Sequence, residues 1–234
     1  MKKNKEKWMQ IIFLLSACTS ILAVFLICYF LFANGVPAIG KIGIGNFLLG
    51  KVWKPTNNLF GIFPMILGSI YVTAGAIVIG VPIGIMTAMY LALFCPKEIY
   101  KIIKPAIELL AGIPSVVYGF FGMVVIVPFV RESLGGNGSS MLSASLLLGI
   151  MILPTIINVS ESAIRAVPEN YYEAGRALGA THERSAFNIV LPAAKSGVLA
   201  GIILGIGRAI GETMAVIMVA GNQARMPKGL LKGV

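Results

Sequence analysis

Arg208 and Glu212 stand four residues apart inside a long apolar run, Gly197 to Ala220. A helix through this run puts both on one face. A charge at the centre of a bilayer costs about 2.5 to 3.5 kcal/mol on insertion scales, and is tolerated where it faces a bundle interior or an aqueous path. The two residues therefore form a candidate substrate pathway. Arg208 offers a planar guanidinium to an oxyanion in transit, while Glu212 holds that guanidinium and limits how tightly the anion is retained. The competing reading is a structural pair that neutralises two buried charges and pins helix packing. Gly201, Gly205, Gly207 and Gly211 surround the pair. Small residues at this spacing let helices approach closely, either across to a second membrane subunit or within the chain. Glu108 and Glu161, near the ends of other apolar runs, read as interfacial carboxylates reaching the headgroup level.

Other chemistries find little support. His182 is the single histidine, and all nine acidic residues are Glu. Cys18, Cys28 and Cys95 lie in or beside apolar runs without ligand spacing, so neither a disulfide nor a metal site is expected. No Gly-x-x-x-x-Gly-Lys phosphate loop occurs, so ATP hydrolysis is not expected of this chain and no cofactor is implied. A membrane-embedded enzyme is disfavoured on these grounds.

The elements that must position the charged pair are membrane spans. Hydrophobic residues make up 57% of the 234 and charged ones 12%, with a mean hydropathy of +0.89. Such a composition calls for lipid as solvent. The net charge of +10 is not clustered with aromatics on a soluble face, which argues against nucleic acid. It reads instead as topology signal, because Lys and Arg concentrate in cytoplasmic loops.

An all-α, polytopic helical bundle with five spans is expected. The first, Met9 to Ala33, follows the basic leader Lys2, Lys3, Lys5 and Lys7 and is too long for a cleaved signal peptide, so residues 1–33 form an anchor helix with its N-terminus inside. A polar external loop, 34–61, leads to a second run from Ile62 to Phe94, which Pro64 and Pro82 are expected to divide or kink. Lys97, Lys101 and Lys104 form a short basic loop. The third span, Ala106 to Val130, should be either interrupted around Gly112 and Pro114, with the backbone there facing a cavity or protein, or simply kinked. The fourth runs from Ala144 to Val159 and the fifth from Ser196 to Ala220, which makes residues 62–222 the core of the bundle. This topology places eleven Lys and Arg inside and seven outside, Arg225, Lys228 and Lys232 of the tail 223–234 among the latter. An odd span count leaves that tail external, so a sixth helix is expected beyond it.

Between the fourth and fifth spans lies the loop 165–195, and the stretch Glu173 to Gly197 that begins in it, EAGRALGATHERSAFNIVLPAAKSG, reads as helix, turn, helix. Glu173, Ala174, Gly179, Leu191 and Pro192 match the EAA motif, so the loop resembles that of permeases of ABC importers. Gly175 departs from the motif's second Ala, at a helix cost of about 1 kcal/mol. Three further stretches, Ala111 to Gly122, Leu153 to Thr181 and Gly205 to Asn222, look like the phosphate-specific (Pst) permeases. Phe47 to Pro64 looks like their PstC branch rather than PstA.

The resemblance implies a type I ABC importer permease fold. It also implies a coupling loop in which Glu173, Ala174, Arg176 and Gly179 meet a cytoplasmic ATPase. The implied partners are a PstA-type second permease, two ATPase subunits, an external phosphate-binding protein and membrane lipid. The implied place is the bacterial inner membrane, and the implied cargo is phosphate. Molybdate or sulfate remains the alternative, because importers of those anions share the coupling loop.

Overall fold

A computed structural model describes residues 2–227 and 229–233, with side chains from Glu6 onward. Met1, Lys228 and Val234 lie outside the described residues, as do the side chains of the leader bases Lys2, Lys3 and Lys5. The chain divides into two compact units, Met1–Phe63 and Pro64–Val234.

The first unit is dominated by α1, Lys2–Ile42. The helix does not end at Ala33 but continues through Pro37, so part of the expected external loop is helical. Its polar side chains are satisfied locally: Thr19, Ser20 and Asn34 each donate to the carbonyl four residues back. This is the arrangement a lipid-facing helix requires. A short α2, Ile44–Leu49, leads to a hairpin of β1, Trp53–Lys54, and β2, Leu59–Phe60. Trp53 opposes Phe60 edge-on at 5.8 Å.

The second unit is a helical bundle built around α7, Met141–Arg165. Helix α3, Phe63–Met89, continues in a π turn to Phe94. Pro64 lies in its first turn and Pro82 within it, so neither divides it as expected. The next expected boundary also moves. Lys97, Lys101 and Lys104 are not in a loop but on α4, Lys97–Gly112, and the chain breaks at Ile113 and Pro114 before α5, Ser115–Phe121. A π turn, Gly122–Ile126, joins α5 to α6, Val127–Leu134. The apolar helix long enough to cross is thus Ser115–Leu134 rather than 106–130, with the interruption where Gly112 and Pro114 placed it. Ser140 caps α7 by accepting from the Ser143 amide, and α7 extends to Arg165, six residues past the expected end.

After α7 come α8, Glu169–Ala177, α9, His182–Ser185, a π turn Ala186–Val190, and the single turn α10, Leu191–Ala193. Helix α11, Lys195–Gly211, turns away from them, the segment His182–Ala193 meeting it at 73°. The expected fifth span is not continuous. It stops at Gly211, passes through extended Glu212, and restarts as α12, Met214–Ala220. Among the described residues, four helices are long and apolar enough to cross a bilayer, five if the bent pair is one span. The tail returns to the bundle, where the Lys232 and Leu230 carbonyls accept from the first amides of α7.

Bulky side chains of α7 fill grooves left by glycines on its neighbours. A Cβ on Gly80 of α3 would fall 2.9 Å from Ile152, and one on Gly84 would fall 2.8 Å from Ile156. From α11, Gly205 faces Ile156 at 2.7 Å and Gly201 faces Ser160 at 3.1 Å. Gly122 faces Leu147 and Val219 of α12 in the same way. Leu147, Ile152 and Ile156 are fully buried. Lipid chains are as apolar as these residues, so close packing rather than transfer from water holds such helices together.

Gly205→Val should therefore force α11 off α7, an overpacking cost of ~1–3 kcal/mol. Gly207, with nothing within 4 Å of a new Cβ, should accept Val without loss. Thermal stability of the purified subunit in detergent distinguishes the two, and equal stability of both variants would count against the packing account.

Candidate functional site

Arg208 lies one turn before the end of α11, half-buried. Its Nη1 donates to the Thr155 hydroxyl of α7 at 3.3 Å. Glu212 does not share its helix face. Because the helix stops at Gly211, the Glu212 carboxylate swings forward and accepts from the Ala215 amide at 3.1 Å, capping α12. The expectation that Glu212 grips the guanidinium is corrected accordingly. Among the described residues no carboxylate lies within ion-pairing distance of Arg208. The break is marked in the sequence only by Gly-Glu-Thr, a weak signal because Glu is not a favoured cap.

The four glycines separate into two kinds. Gly201 and Gly205 pack within the chain on α7, the second of the two uses the sequence left open, while Gly207 and Gly211 face open space.

A polar constellation lies further along α7. Glu161 is 1% exposed, so its carboxylate faces protein instead of reaching outward as expected. It accepts from Lys104 Nζ at 2.7 Å, Arg165 Nε at 2.8 Å and the Tyr100 hydroxyl at 2.8 Å. Lys104 also donates to Asn158 Oδ1, and Arg165 Nη2 to the Leu91 carbonyl at 2.6 Å. The Arg165 guanidinium lies over the Tyr100 ring. Burying a carboxylate is tolerable when donors meet both of its oxygens in this way. The Glu161 hydrogen bond, reinforced by burial, raises the Tyr100 phenol above its ordinary pKa, so it stays a donor. Glu108, by contrast, is exposed on α4. Sequence reasoning missed Thr155, Asn158 and Arg165, although their spacing of three and seven residues follows one face of a helix.

The loop from α7 to α11 presents the EAA-like residues. Glu173, Ala174 and Arg176 are exposed on α8, and Leu178 just beyond is 90% exposed. Gly179 has φ +85, the left-handed conformation that closes a helix. Gly175 faces inward: a Cβ there would collide with Ile189 Cδ1 and come 2.9 Å from Ser185 Oγ. The departure from the motif's Ala is thus a packing requirement of this loop. His182 hydrogen-bonds the Tyr172 hydroxyl through Nδ1 and meets Phe94 edge-on at 4.3 Å, tying the loop to the end of α3. A buried cluster of Met89, Ile164, Val190 and Val198 lies behind it.

Residues 80–231 match the family model described as the binding-protein-dependent transport system inner membrane component. A probable ABC transporter permease protein, YqgH of Bacillus subtilis, is 39% identical over 83% of this chain and 62% of its own length. Two proteins named phosphate transport system permease protein PstC are similar as well. That of Mesorhizobium japonicum is 34% identical over 86% of this chain and 67% of its own, and that of Haemophilus influenzae is 31% identical over 98% and 80%. The chain therefore spans just under two thirds of the length of the Bacillus relative. It belongs to the family of inner-membrane components of binding-protein-dependent transport systems, and its resemblance is to the PstC type.

Gly175→Ala should lower transport by displacing Ile189, and Gly175→Ala with Ile189→Val, which removes the colliding methyl, should restore it. Substrate uptake by the assembled transporter checks this, and an uncompensated double variant would refute the packing explanation.

Proposed function

We propose that this chain is the membrane-spanning permease subunit of an ATP-driven importer that moves inorganic phosphate into the bacterial cytoplasm. The observation that carries the reading is Arg208. Its guanidinium is half-buried in an apolar bundle, and its hydrogen-bond partner among the described residues is a neutral hydroxyl. A guanidinium without a carboxylate keeps its charge available to an anion, and its planar fork suits tetrahedral oxyanions. Phosphate is chosen over sulfate or molybdate because relatives along most of this chain carry phosphate transport in their names. Glu212, as the cap of α12, positions the broken helix beside Arg208 rather than bonding it.

In this reading α8 is the coupling helix. Glu173, Ala174 and Arg176 form the face offered to a separate ATPase, and Gly179 ends the helix so that the chain can return toward the membrane. A second, PstA-type permease closes the pathway, two ATPase subunits supply the energy, and an external phosphate-binding protein delivers the cargo. The N-terminus is cytoplasmic, on the strength of the basic leader. Gly207 and Gly211, open within this chain, are the residues of the stripe left to meet the second permease. The subunit itself performs no catalysis.

Radiolabelled phosphate uptake, in cells lacking other phosphate importers and supplied with the partner subunits, tests the reading. Arg208→Gln should lower the initial rate roughly 10- to 100-fold, the loss of one charge-assisted hydrogen bond, with assembly intact. Normal uptake by that variant removes Arg208 from the pathway, and efficient competition by molybdate would reassign the cargo.

A further inference from the structure

Resting on the phosphate reading, we propose that Lys104 and Arg165 form a second, inner anion station, joined to Arg208 by a polar stripe on α7, where an oxyanion such as phosphate pauses before release. The first support is the open face of α7. Helix α11 covers Ile156, Ser160 and Ala163 through its glycines, and on the other side α4 reaches Glu161 and packs its buried Ile107 with Ile157. Between these faces run Thr155, Asn158, Ser162 and Arg165, at helical spacings of three, four and three. None of the four is buried, and Ser162 and Arg165 are exposed. Ser162 is satisfied locally by the Asn158 carbonyl, but the Asn158 amide and the Arg165 guanidinium on this uncovered stripe call for water or protein rather than hydrocarbon. Thr155 bonds Arg208 at one end. Arg165 lies ten residues on, a rise of about 15 Å at 1.5 Å per residue.

The second support is charge. Around Glu161 two cations share one carboxylate, and no other carboxylate among the described residues lies within 4 Å of either base. One positive charge is left unbalanced. Donors also remain. Lys104 uses two of its three hydrogens, on Glu161 and Asn158, and the Nη1 of Arg165 has no partner among the described residues. The side chains are 20% and 45% exposed respectively, so a passing anion can reach both. Glu161 keeps the station weak: it fixes the two bases and cancels half their charge, which lets an anion leave.

The test is initial-rate phosphate uptake by the full transporter, measured against external phosphate, with assembly scored by co-purification. Arg165→Gln leaves the Lys104–Glu161 pair intact but abolishes the excess charge. It should lower the maximal rate about tenfold, with the half-saturating concentration unchanged because capture occurs outside. Arg165→Lys keeps the charge while losing the fork to Glu161 and Leu91, and should stay within about twofold of the original. Lys104→Gln removes the same excess charge and leaves both Arg165 bonds, so it should behave like Arg165→Gln even if that variant assembles poorly. Unchanged rates in both Gln variants overturn the proposal. Equal loss in Arg165→Lys and Arg165→Gln also overturns it, because the fork would then be bracing rather than binding. If the unmodified transporter moves no phosphate, the phosphate reading fails and takes this proposal with it. If Arg208→Gln transports normally while the Gln variants at 104 and 165 are slow, only the role of Arg208 is lost.

Discussion

Close packing of glycine against bulky side chains along α7 is the constraint on which the rest of the bundle depends. In lipid there is no gain from hiding one apolar surface against another, so association rests on contact distance and on the few polar bonds the helices share. Gly80 and Gly84 from one side bring a backbone onto Ile152 and Ile156, and Gly205 and Gly201 from another bring a second onto Ile156 and Ser160. The Ser145 hydroxyl adds a bond to the Val72 carbonyl of α3. With α7 held on these faces, its remaining face is free to carry polar residues. Both charged sites are hung on it: Arg208 through Thr155, and Lys104 and Arg165 through Glu161.

The two sites differ in how their charges are met, and the difference matches different duties. Glu161 is met by donors from two helices, a network that fixes its surroundings while leaving one of the two cations unbalanced. Arg208 has a single neutral partner and keeps its charge. Matched one-to-one by a carboxylate, Arg208 would be a strut; without one it can exchange partners. Glu212 avoids becoming that match because the helix ends one residue earlier and its carboxylate serves the α12 amide instead.

Much of this was legible in the residues. Apolar runs gave the helical membrane bundle, Gly112 and Pro114 gave the break before α5, and Arg208 stood out as a base in an apolar run. The EAA-like loop was read as helix and turn, and α8 with Gly179 follows that reading. What escaped was set by tertiary contact. The extension of α1 and α7 past their apolar cores is helix without hydropathy, and the basic segment 97–104 became helical because Ile103 and Ile107 find an apolar surface at Leu91 and Ile157. Glu161 was misplaced because a carboxylate near a span end looks interfacial until its three donors, two of them 57 or more residues away in the chain, are brought to it. The departure at Gly175 looked like a flaw in a motif and is explained only by Ile189.

The 73° elbow between the short helices after His182 and α11 has a mechanical meaning. Two arms joined at nearly a right angle make a crank. In the coupling reading, movement of the short arm would tilt the long one, whose far end carries Arg208. Because His182 pins the short arm to the end of α3, the pivot is shared with a second helix. A displacement of the short arm would reach Arg208 along α11, and the glycines that seat α11 on α7 set how far it can go.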